Sequence, residues 1–176
     1  IGGAVGLKGS DGADIVAEAL ARGAERKAVL RARQALDVLT ALKERCHFLT
    51  CPGEMGADLL TELGFSYRLI DADIPQVNTS AEHTRLAAAA MLENNVDLLL
   101  FAGGDGTARD ICAVIGDTLP VLGIPAGVKI HSAVYGITPA ASGEVVRSLL
   151  EGGLVDIKEA EVRDLDEEAF RNNQVR

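Results

Sequence analysis

Short apolar runs alternate along this chain with stretches in which hydrophobic positions recur every three or four residues. The runs His47 to Cys51, Tyr67 to Ile70, Val96 to Ala102 and Pro120 to Ile124 predict strands, and Val155 to Val162 predicts a fifth. Between them, Val29, Ala32, Leu36 and Leu39 fall on one helical face, as do Met55, Leu59 and Leu63, whose pattern stops at Gly64. Thr79-Ser80-Ala81-Glu82 reads as a capping box opening a helix that runs to about Glu93, and Thr138-Pro139 as a cap followed by proline at the first helical position. This alternation predicts an α/β fold: a three-layer, Rossmann-like domain with a mostly parallel sheet. Such sheets place their sites at the carboxyl ends of strands, here the loops after Ala102 and Ile124.

The first of those loops changes character abruptly. Val96 to Ala102 breaks into Gly103-Gly104-Asp105-Gly106-Thr107 and then into a helical pattern. Three glycines let backbone N–H groups approach a ligand closely. Thr107 is placed to cap the following helix, whose unpaired N–H groups form an anion site. A carboxylate beside phosphate is repulsive unless it holds a metal ion or takes a proton, so Asp105 points to phosphoryl transfer in preference to phosphate storage. The competing reading is a glycine-rich turn with an exposed or helix-capping Asp105. Two other phosphate motifs are excluded. No Gly-Lys-Ser/Thr occurs, and a dinucleotide fingerprint starting at Gly104 fails at Arg109 and again at Ile124, about 20 residues on, where an acid is required.

The second loop, Gly127-Val128-Lys129-Ile130-His131-Ser132, offers a glycine, a cation and small polar groups. Lys129 is able to neutralise a phosphate oxygen and Ser132 to donate a hydrogen bond. Near the start, Gly6, Lys8, Gly9, Ser10 and Asp11 make a second candidate anion cradle. Arg109 and Asp110 fall in the first turn after the glycine loop, where solvent exposure is the simpler expectation for both.

Composition narrows the partners. At 176 residues and 48% hydrophobic the chain supports one core. A net charge of −9, six Phe and Tyr together and no Trp argue against a nucleic-acid surface. An anionic nucleotide must then be met by local groups, not by the global field. No apolar run approaches the roughly 18 to 20 residues of a membrane span. Cys46, Cys51 and Cys112 lack CxxC spacing, and His47, His83 and His131 lack metal-ligand spacing. Reduced, buried thiols in a cytoplasmic protein are expected.

Gly103 to Thr107 resembles the signature of the superfamily that contains NAD kinases, diacylglycerol and sphingosine kinases and 6-phosphofructokinases. Residues 103 to 110, with Gly123-Ile124-Pro125-Ala126-Gly127-Val128-Lys129, resemble the ATP-NAD kinase-like proteins related to AcoX, and Ile1 to Gly12 is similar to the end of that family's N-terminal glycine-rich segment. The resemblance implies the N-terminal α/β domain of the NAD kinase/diacylglycerol kinase-like fold over residues 1 to 160. Residues 161 to 176 would begin the connection to a β-rich second domain absent from this chain. It further implies an ATP-dependent kinase with Mg2+, NAD or another small metabolite as acceptor, Asp105 as the catalytic carboxylate, and homo-oligomer formation. Gly103, Gly104, Gly106, Thr107, Gly127, Lys129, Ser132, Gly6, Lys8 and Gly9 would bind the nucleotide. Because the chain starts inside the family's first turn, an incomplete and catalytically inactive piece is expected. The Pro125 to Lys129 string disfavours a lipid kinase, and a non-catalytic nucleotide sensor is the remaining alternative.

Overall fold

The computed structural model describes residues 27–127, 130–153, 156–159 and 162. In chain order the elements are α1 (Ala28–Asp37), a 3-10 stretch (Thr40–Arg45), β1 (Phe48–Thr50), α2 (Ala57–Leu63), β2 (Tyr67–Leu69), α3 (Ala81–Glu93), β3 (Leu99–Gly103), α4 (Asp105–Ile115), β4 (Val121–Pro125) and α5 (Pro139–Leu150). The fold is α/β and Rossmann-like, as the alternation predicts. Both strand pairings are parallel, β1 with β2 and β3 with β4, in two separate two-stranded sheets where one continuous sheet was expected. No strand occurs among the described residues of 155–162.

One helix layer ties the two sheets together. Ala87, Ala90 and Met91 of α3 pack with Cys51, Ile70 and Ile74 beside β1 and β2. Ala88 and the same Met91 join Leu99, Phe101, Ala108, Ile111 and Ile115 around β3 and α4. Leu99 and Phe101 are two residues apart and so share a face of β3, which leaves the other face to α1 and α5. Those two helices cross closely through Gly143, and Leu36 and Leu39 pack there with Cys46, Phe65 and Leu150. Val29, assigned from sequence to the same buried stripe, is exposed.

Local signals explain the boundaries. Gly64 takes the left-handed conformation (φ 71°) that ends α2, and Lys43 Nζ donates to the terminal Leu63 carbonyl while lying 5.2 Å from the Phe65 ring centroid. Thr138 caps α5, its Oγ1 accepting from Ala141 N–H at 3.1 Å, with Pro139 at the first turn. The capping box of α3 sits one residue later than the sequence indicates. Ser80 is the N-cap and its N–H donates to His83 Nδ1 at 3.0 Å. Thr79 is withdrawn because both its N–H and its hydroxyl donate to Glu54 Oε1, at 3.2 Å each. Strand β3 starts at Leu99, not Val96, since Asn95 adopts a positive φ of 50° and Val96 N–H donates back to the Met91 carbonyl.

Candidate functional site

The two loops picked out by sequence meet at one end of the β3–β4 pair. Parallel register sets Gly103 beside Pro125, so both strands deliver their loops to the same carboxyl rim. Beyond the last pair, Ala126 N–H donates to the Gly103 carbonyl at 3.0 Å. A Cβ on Gly127 would lie 3.2 Å from Gly104 Cα, so the loops touch backbone to backbone. Gly103 is required for a different reason. A Cβ there would come within 2.5 Å of Thr107 Oγ1 and 2.7 Å of Thr107 Cβ.

Helix α4 begins one residue after the strand-to-helix turn, with Gly104 as N-cap and no side-chain cap. Thr107 is therefore not the cap expected from sequence. It lies in the first turn, since the helix starts at Asp105, and packs against Gly103. The N–H groups of Asp105, Gly106 and Thr107 precede the first intrahelical bond, from Ala108 N–H to the Gly104 carbonyl at 3.1 Å. They form the positive end of the α4 dipole.

Asp105 is half-buried at that end, and its carboxylate is held by the second loop. His131 N–H donates to Oδ2 at 2.8 Å and Ser132 N–H to Oδ1 at 3.1 Å. Bonds from N–H groups to a carboxylate are among the stronger hydrogen bonds. Two in succession fix the carboxyl plane across the loop junction. The sequence marked Ser132 for its hydroxyl; the structure uses its backbone amide on Asp105. Lys129, Gly6, Lys8 and Gly9 lie outside the described residues.

The other expectations sort as follows. Asp110 is not solvated: only 14% of its side chain is exposed, and it pairs with Arg85 of α3 at 2.7 Å. Cys46 and Cys51 are buried and Cys112 partly so, all as free thiols, and burial pushes each thiol up, Cys51 from its ordinary 9.0 to about 11. An open groove of about 270 Å³, lined by Cys46, His47, Ser66, Tyr67 and Arg68, lies at the amino ends of β1 and β2, away from this rim. Sequence reasoning missed Gly123 and Tyr135, discussed below. The signal was an isolated glycine inside a strand pattern.

A glycine-lined rim, a helix amino end and a carboxylate fixed across both loops agree with the sequence model of the ATP-NAD kinase N-terminal domain, which matches residues 15–154. The chain belongs to the ATP-NAD kinase family. Neither a curated protein nor a solved structure matches it. Family membership carries kinase-type phosphoryl transfer at the level of the family, with ATP and NAD as its substrates and a divalent metal as its usual companion. Among the described residues no group of three or more His, Cys, Asp or Glu side chains is arranged to hold a metal ion. Among the described residues, no helix is long and apolar enough to cross a membrane.

One pH prediction follows from the buried acids. Burial first, then the Asp105 and Cys112 charges, pushes the Tyr135 phenol upward, in the same direction as Cys51. Both groups are neutral in the fold and more easily ionised when unfolded. The Cys51 contribution to stability is thus complete below the unfolded thiol value of 9.0 and is lost as pH rises through the folded value of about 11, while that of Tyr135 starts to fall only above its ordinary 10.0. Thermal midpoints measured across this window should decline above pH 9. A flat profile there would show that these groups do not titrate with folding.

Proposed function

We propose that this domain binds ATP across the β3–β4 rim and transfers its γ-phosphoryl group to a hydroxyl of a small molecule, NAD being the first acceptor to test. The observation that supports this reading most directly is the Asp105 carboxylate, fixed by the His131 and Ser132 amides at the amino end of α4. Phosphoryl transfer asks little covalent chemistry of a protein beyond positioning and charge stabilisation. The first-turn N–H groups of α4 and the glycines Gly103, Gly104, Gly106 and Gly127 would meet phosphate oxygens, with Thr107 and Ser132 beside them, and Lys129 would supply a cation. Gly6, Lys8 and Gly9 would add a second cradle.

In the reaction so proposed, the acceptor oxygen attacks the γ-phosphorus in line. The bond from that phosphorus to the bridging oxygen breaks, and its electron pair leaves with ADP. The acceptor proton passes to Asp105. Magnesium, arriving with the nucleotide, would neutralise phosphate charge. The test is ATP, Mg2+ and NAD, then a panel of small hydroxyl metabolites, with the full-length protein and product identification by mass. ADP formation matched by a phosphorylated acceptor is expected. Tight ATP binding with no phosphorylated product from any acceptor would favour the non-catalytic sensor.

A further inference from the structure

Strand β4 carries a glycine at its centre, and the chain returns to lie beside it. Gly123 N–H donates to the Val134 carbonyl at 2.8 Å and Gly136 N–H donates to the Gly123 carbonyl at 3.1 Å, a parallel bridge centred on Gly123 and Tyr135. The tyrosine ring occupies the place of a side chain at position 123. A Cβ there would lie 2.4 Å from Tyr135 Cδ1, 2.5 Å from Cε1 and 3.0 Å from Phe101 Cζ. The ring meets Phe101 of β3 edge-on, with centroids 5.5 Å apart and planes at 66°. The segment clamped in this way begins with His131 and Ser132, whose amides hold Asp105.

The hydroxyl of Tyr135 is a separate observation. It is buried and has no hydrogen-bond partner among the described residues. Phenylalanine would fill the same space without the cost of dehydrating an unpaired hydroxyl. Burial and the nearby Asp105 charge keep the phenol protonated, so it is available as a donor. Asp105, whose oxygens now accept from two amides, and Cys112 are the two acids whose charges act on it, and of these Asp105 is the one that loop 131–132 already holds in place.

We propose that Tyr135 is a positioning residue for Asp105, with Gly123 as its seat. The ring fixes the segment that presents the His131 and Ser132 amides, and the hydroxyl hydrogen-bonds the carboxylate in the ATP-bound site, where phosphate oxygens compete for those amides. The consequence for turnover rests on the kinase reading above; the geometric consequence does not.

The experiment compares Tyr135→Phe and Gly123→Ala with wild type in the full-length protein, using ATP, Mg2+ and NAD. Tyr135→Phe should lower kcat about tenfold, the rate equivalent of one ordinary hydrogen bond, with KM for ATP within about twofold. Its thermal midpoint should equal or exceed that of wild type. Gly123→Ala, which displaces the ring, should move the His131 and Ser132 amide resonances even without nucleotide. Wild-type kcat in Tyr135→Phe, or a kcat and midpoint that fall together, overturns the proposal. The amide resonances in ATP-saturated Tyr135→Phe decide it independently of turnover: displaced resonances support the coupling and unmoved ones refute it. Wild type that transfers phosphate to no acceptor sinks the kinase reading while this resonance test still stands.

Discussion

Asp105→Asn in the full-length protein is expected to lower kcat by about 100-fold or more, the range of general acid–base contributions, while ATP affinity stays within a few-fold. The substitution preserves shape but removes the charge that receives the acceptor proton. The structure adds a cost that shape alone conceals. Asp105 accepts from two backbone amides, whereas asparagine offers one carbonyl oxygen and turns its NH2 group toward the other N–H. One bond is lost, along with a favourable charge at the helix amino end, for a combined loss of about 1–2 kcal/mol. Kinetics paired with thermal unfolding should therefore show a large fall in turnover beside a small fall in stability. Wild-type turnover in the variant would remove Asp105 from the chemistry.

Gly143→Ala is expected to lower stability strongly although it adds a single methyl group. In an isolated helix alanine is better than glycine by about 1 kcal/mol, so propensity alone predicts a gain. Packing reverses the sign. A Cβ at Gly143 would lie 2.2 Å from the Ala35 carbonyl oxygen and 3.0 Å from Ala35 C and Val38 Cβ, so α1 and α5 must separate. Two of these atoms belong to backbone, which cannot rotate away. Overpacking of this kind costs about 1–3 kcal/mol, a large share of a domain's 5–15 kcal/mol. The damage also reaches the site. The neighbouring Ser142, fully buried, donates from Oγ to the Gly123 carbonyl at 3.0 Å, so a displaced α5 pulls on the seat of Tyr135. Denaturant unfolding measures the loss, and a midpoint equal to or above wild type would contradict the close crossing.

The two effects divide the protein's demands on glycine. At Gly103, Gly123 and Gly143 the requirement is space for a neighbour, while at Gly64 it is a left-handed backbone at a helix end. A helix-ending glycine such as Gly64 has a local sequence signature, whereas the space that Gly143 leaves for Ala35 exists only once α1 and α5 cross. The same distinction explains the capping of α3. A Ser/Thr-x-x-Glu string fits Thr79 as well as Ser80 fits His83, and the choice was made by Glu54, a residue 25 positions away that takes both Thr79 donors.

The sequence by itself determined the element order, the α/β class and the glycine-carboxylate loop at a strand's carboxyl end. These rest on periodicity and on backbone freedoms that act over a few residues. That the loop after Ile124 faces this one depended on the two strands being neighbours, which the parallel β3–β4 pairing supplies. Only the tertiary structure decided what holds Asp105. Its partners are backbone N–H groups, which every residue but proline possesses, so no residue type at 131 or 132 announces them. Tyr135 was invisible for a related reason. A tyrosine's role depends on the hole it fills, and that hole exists only once Gly123 of β4 and Phe101 of β3 lie side by side.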